Sequence, residues 1–175
     1  MQIISVINQK GGVGKTTTVI NLAAGLTQLN KKILVIDLDP QGNATTGLGL
    51  SNVGDSSDTI YGVLNGTREI NEIIKKTQFE NLDIITSNVD LSGLEVETAD
   101  DSNRAFILNA KLSAYLNNSR GSYDYVLIDC PPSLSLLTVM ALVCSNSLLV
   151  PLQTEFFALE GLTQLMKTIE RIKVS

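Results

Sequence analysis

The feature that most narrows what this chain can fold into is Lys10-Gly11-Gly12-Val13-Gly14-Lys15-Thr16, set between two segments of different periodicity. Before it, Ile3-Ile4-Ser5-Val6-Ile7 is the short apolar run of a buried strand. After it, Thr16 to Leu29 carries Val19, Leu22, Ala23, Leu26 and Leu29 at the spacing of a helix with one buried face. A glycine-rich turn from a strand into a helix N-terminus aims several backbone N–H groups into one small volume, which suits an anion. Lys15 then reaches the β- and γ-phosphates of a nucleotide, and the Thr16 hydroxyl holds Mg²⁺. Gly11, Gly12, Val13, Gly14 and Thr17 complete the cradle. The segment predicts a nucleoside triphosphate site.

The loop also departs from the ordinary phosphate-binding pattern G-x-x-x-x-G-K-[ST], which needs a glycine five residues before Gly14. Gln9 stands there, and a second lysine, Lys10, follows it. A lysine at the mouth of such a cradle is a compact cation on a long stem, able to serve its own site or a neighbour's. The chain has no histidine, so catalysis falls to carboxylates, lysines, hydroxyls, backbone amides and a metal ion.

Ile33-Leu34-Val35-Ile36 and Tyr125-Val126-Leu127-Ile128 read as strands covered on both faces. Leu82 to Ile85 and Ser147 to Leu152 read as further strands. Helices are expected over Thr59 to Leu64 (capped by Thr59), Glu69 to Lys76, Asn103 to Leu116, Leu136 to Val143 and Glu160 to Ile172. Residues 37–49 and 51–58 read as loops, and 91–101 is acidic and ambiguous. Strands alternating with helices predict a three-layer α/β sandwich with a mostly parallel central sheet. The whole of 1–175 is expected to be one domain. A helix ending the chain with no strand after it suggests that C-terminal strands and helices are lacking.

In such sheets ligands sit at the carboxyl ends of strands. Three strands here end in chemically loaded segments: the glycine loop, Asp37-Leu38-Asp39, and Asp129. Asp129 fits a carboxylate that holds Mg²⁺ directly or through its waters. Asp39, further out in its loop, is placed to orient an attacking water or accept its proton. Asp37 is expected to bond the start of the glycine-loop helix or the metal's water shell. No arginine finger is evident, and Lys10 is the substitute cation. Acting across a dimer, it would make hydrolysis depend on dimerisation.

The net charge of −5 argues against a wholly basic nucleic-acid domain without excluding a local patch. Cys130 and Cys144 are too far apart for a zinc or redox pair and read as buried hydrophobes. Met1 runs straight into the first strand, and no apolar run reaches membrane-span length, so a cytoplasmic protein is expected.

Taken together, Asn8 to Thr18 with Asn21-Leu22-Ala23, Asp37 to Thr45, Ser87 to Ser92, Asp129-Cys130-Pro131-Pro132-Ser133 and Ala158 to Leu162 resemble the ParA/MinD family of deviant Walker P-loop ATPases. The ParA/Soj chromosome-partitioning type is the one they resemble most closely. The resemblance implies a P-loop fold and a Mg²⁺-dependent ATPase that dimerises on ATP. It implies Lys10 as the signature lysine on the partner's nucleotide, Lys15 and Thr16 on phosphate and Mg²⁺, Asp39 in hydrolysis and Asp129 as the Walker B acid. It further implies non-specific DNA binding on the nucleoid by the full-length dimer and a ParB-like centromere-binding partner that stimulates hydrolysis. The alternative is a MinD-like positioning ATPase acting on membrane or protein cargo. Asp-Pro-Gln-Gly-Asn-Ala-Thr favours the former.

Overall fold

The computed structural model describes residues 1–50, 54–118, 123–154 and 158–174; the side chains of 158–160 and 172–174 lie outside the description. Six strands form one sheet: β1 (Gln2–Val6), β2 (Ile33–Asp37), β3 (Ile74–Lys76), β4 (Leu82–Ile85), β5 (Tyr125–Asp129) and β6 (Ser147–Leu149), in the order β3-β4-β2-β5-β1-β6. All neighbouring pairs are parallel except the edge pair β3–β4. The expected sandwich is what forms, with helices on both faces.

Alternate residues of each strand supply the two cores, which is why the strands read as continuous apolar runs. Ile33, Val35 and Leu127 pack on one face with Val19 and Ala23 of α1 (Lys15–Gln28) and with Leu48, which follows α2 (Asn43–Gly47). Leu34, Ile36, Val126 and Ile128 pack on the other. That face is covered by α3 (Ile60–Leu64), α4 (Ile70–Ile73), α5 (Leu94–Glu97), α6 (Ile107–Asn118), α7 (Leu136–Cys144) and α8 (Ala158–Val174). Cys130 and Cys144 are buried free thiols there.

Thr59 caps α3 as expected, its side chain accepting from Tyr61 N–H. Other expectations change. The helix over Glu69 to Lys76 is only one turn long and passes at Ile74 into β3, whose Ile74 lies opposite Ile85 on β4. An edge strand carrying Lys75 and Lys76 leaves its outer side charged, which discourages further pairing. The loop after β2 contains α2, because a buried carboxylate organises it. β6 stops at Leu149, and Pro151 beyond it has no N–H to give a ladder. The ambiguous acidic segment resolves into a 3₁₀ turn, Val89–Gly93, followed by α5. Of the loop expected over 51–58, residues 51–53 lie outside the described residues, and Ser56–Asp58 is a 3₁₀ turn.

Candidate functional site

Residues far apart in sequence converge because β5 lies between β1 and β2. Val6 at the end of β1 is opposite Asp129 at the end of β5, and Asp129 is opposite Asp37 at the end of β2. The glycine loop and both acidic loops therefore leave the same edge of the sheet from adjacent strands.

In the glycine loop, Gly12 and Gly14 have φ of 75° and 89°, the left-handed region that side chains resist. A β-carbon on Gly11, Gly12 or Gly14 would meet nothing within 4 Å. The glycines are thus not needed to fit the protein against itself, and the cradle opens onto free space. Gly11, Gly12, Gly14, Lys15, Thr16, Thr17, Asp39, Asn43 and Pro132 line a cavity of about 420 Å³. Val13 points inward and is buried.

The loop is held from outside itself. Asn8 Oδ1 accepts from Lys10 N–H at 3.0 Å while its Nδ2 donates to Pro151 C=O at 2.8 Å. Gln153 Nε2 donates to Gly12 C=O at 3.2 Å. Lys15 Nζ donates to Lys10 C=O at 3.1 Å. Burial lowers the Lys15 pKa, opposed by the charges of Asp129 and Asp39. An anion in the cradle would restore the preference for the charged form. Lys10 itself is exposed.

Asp129 is fully buried, and its Oδ2 accepts from Thr16 Oγ1 at 2.7 Å. Its Oδ1 is buried with no hydrogen-bond partner. Burial pushes its pKa up to about 7; the charges of Asp37 and Asp39 add to this, and the Thr16 bond and Lys15 oppose it. A buried carboxylate with one idle oxygen beside a hydroxyl offers oxygen donors that could hold a hard cation, whose other positions water and phosphate oxygens would fill.

Of the two roles expected of Asp37, the bond to the start of α1 does not form. Its Oδ2 accepts from both Thr45 N–H, at 2.8 Å, and Thr45 Oγ1, at 2.7 Å. Its Oδ1 accepts from Asp39 N–H at 3.2 Å. It holds α2 and its own loop instead of reaching the start of α1, and both oxygens are engaged. Burial raises its pKa to about 6, against the lowering effect of the bonds from Thr45 and Asp39. Asp39 lines the cavity, with Oδ1 accepting from Gln41 N–H at 3.0 Å.

The sequence reading did not single out Asn8, Asn43, Thr45, Pro132 or Gln153 for these positions. Asn8 two residues before Lys10 is a local Asx-turn signal. Nothing local marks Gln153 or Thr45, whose partners are set by strand order.

A model of the AAA domain family matches residues 1–175. The chain is 49% identical over its full 175 residues to the chromosome partitioning protein ParA of Caulobacter vibrioides, covering 64% of that protein. It is 46% identical over 172 residues, or 98% of its length, to the sporulation initiation inhibitor protein Soj of Bacillus subtilis, covering 66% of it. The chain thus spans just under two thirds of these relatives. Among solved structures, cobyrinic acid a,c-diamide synthase from Mycobacterium smegmatis, with bound ATP analog and magnesium, superposes with a TM-score of 0.89 at 36% identity. That match covers 99% of this chain and 68% of the other.

Proposed function

The chain belongs to the AAA domain family, among the ParA/Soj chromosome-partitioning proteins, and we propose that it is the nucleotide-binding part of an ATP-driven partitioning switch. The observation that carries this reading is the pairing of Thr16, on the wall of the glycine cradle, with the buried Asp129 behind it, whose second carboxylate oxygen is idle. ATP would lie with its phosphates against the N–H groups of Gly11 to Thr17, and Lys15 would turn from the Lys10 carbonyl to the phosphate oxygens. Thr16 and Asp129 would hold Mg²⁺, Asp129 directly or through water. When bound, the ion offsets charge on the phosphates and polarises the bond to be cleaved. Asp39, on the cavity wall, would orient the attacking water and receive its proton. Lys10, exposed in the loop just before the cradle, would reach the nucleotide of a second subunit in an ATP-dependent homodimer and supply the charge that an arginine finger gives elsewhere.

On this reading the full-length dimer binds DNA non-specifically on the nucleoid. A ParB-like centromere-binding protein stimulates its hydrolysis. The relatives' names support a partition role over a MinD-like one. Among the described residues no helix is long and apolar enough to cross a membrane. The test is ATP turnover by the full-length protein with DNA or with liposomes. Stimulation by DNA is expected; stimulation by liposomes alone would replace partitioning with membrane positioning.

A further inference from the structure

We propose that Thr45 is a positioning residue for hydrolysis, acting through Asp37 on Asp39. The proposal rests on the ATPase reading above and concerns a residue that never touches the nucleotide cavity. Asp39 is carried on a tight turn: Gln41 N–H donates to its Oδ1, and Gly42 N–H to its C=O at 2.9 Å. Such a turn is rigid within itself but needs anchors to be fixed relative to the phosphates. Both of its ends lead to Thr45. On the incoming side, Asp39 N–H donates to Asp37 Oδ1, and the other oxygen of that carboxylate takes two bonds from Thr45. On the outgoing side, the turn enters α2, where Thr45 sits 3% exposed.

The hydroxyl adds a third anchor. While donating to Asp37, Thr45 Oγ1 accepts from Ser87 N–H at 3.0 Å, tying the loop to the end of β4. Gly42, at φ 62°, lies against the same residue. A β-carbon there would stand 3.2 Å from Ser87 C=O. One hydroxyl thus joins the ends of two strands and the helix that follows Asp39. A methyl of the same size would keep the packing but release both bonds, leaving Ser87 N–H unpaired and Asp37 with one donor fewer. The Asp39 carboxylate would then sample more positions. Displacement of about 1 Å in a reacting group can lower turnover by about 10²-fold.

The test uses the full-length protein carrying Thr45→Val and Thr45→Ser, with folding checked by circular dichroism. For Thr45→Val, kcat is expected to fall about tenfold or more, with affinity for a fluorescent ATP analogue within about twofold. Thr45→Ser, which keeps the hydroxyl, is expected to stay within about threefold of the unsubstituted kcat. Unchanged kcat in Thr45→Val, or an equal loss of affinity and kcat, overturns the proposal. If Thr45→Val does not fold, Thr45→Ala replaces it, and failure of both makes the role structural and overturns the proposal as well. Absence of hydrolysis in the unsubstituted protein would instead remove the ATPase reading beneath it.

Discussion

Two buried carboxylates at opposite edges of the same sheet are treated in opposite ways. Asp83, beside the amino-end loops of the strands, has Oδ2 accepting from Tyr123 Oη at 2.7 Å and from Lys76 Nζ at 2.8 Å. Asp129, at the carboxyl ends, has one hydroxyl on one oxygen and nothing on the other. The cavity at the amino edge is the larger, about 740 Å³ against about 420 Å³. Size does not identify the site. A carboxylate already paired with a cation and a phenol has little left to offer a ligand, whereas one left idle in a dry setting favours an incoming cation. The contrast separates a carboxylate whose bonds are made within the fold from one with an oxygen left over, which the proposed function assigns to a cation.

The largest effect that could break this contrast is on turnover. Asp129→Asn keeps an acceptor for Thr16 but removes the charge. It is expected to lower Mg²⁺-dependent ATP hydrolysis by the full-length protein by roughly 100-fold or more. The same variant is expected to raise the melting temperature of the nucleotide-free protein, since a buried, uncompensated charge is gone. If instead it melts lower and still hydrolyses, Asp129 is structural like Asp83.

Acidity sharpens the same point. The carboxyls of Asp129 and Asp37 are raised to about 7 and about 6, so the folded chain holds protons that the unfolded chain has released. Their contribution to stability is complete below about pH 4, where both states are protonated, and is lost as pH rises to about 7. The unfolding free energy of the nucleotide-free protein in urea is therefore expected to rise as pH is lowered from 7 to 5, by at most about 1.4 kcal/mol per pH unit per group. A flat profile would mean that these carboxylates are compensated without ligand. Saturating Mg²⁺ and nucleotide should flatten the slope and raise the midpoint together.

At the other edge the effects are smaller and concern stability alone. Tyr123→Phe removes a bond to a buried charge and is expected to cost about 1–2 kcal/mol in urea unfolding, with nucleotide affinity unchanged. Lys76→Ala is expected to cost less than about 1 kcal/mol, because the lysine side chain is 86% exposed and its ion pair is screened by water. A change in nucleotide binding from either variant would show that the two edges are coupled.

Much of this was legible beforehand because it is local. The turn from β1 to α1, the apolar runs of β2 and β5 and the Thr59 cap each depend on neighbours within a few positions. Illegible were features in which a distant group overrides local preference. Asn43 to Gly47 is rich in turn formers, yet it forms α2 because Asp37 takes both Thr45 donors. Glu69 to Lys76 has helix-compatible spacing, yet from Ile74 it becomes a strand because β4 offers an unpaired edge. The bonds of Asp37 to Thr45 and Asp39, which anchor the loop, were not legible in its spacing from Asp39.

By itself the sequence determined the phosphate loop, the identity of the carboxylates at strand ends and the α/β alternation, since each follows from residue type and short-range spacing. The tertiary structure decided which carboxylate stays idle. That depends on β5 being inserted between β1 and β2, which brings Asp129 to Thr16 across 113 positions of chain, and on burial, which makes an unpartnered oxygen costly unless a ligand completes it.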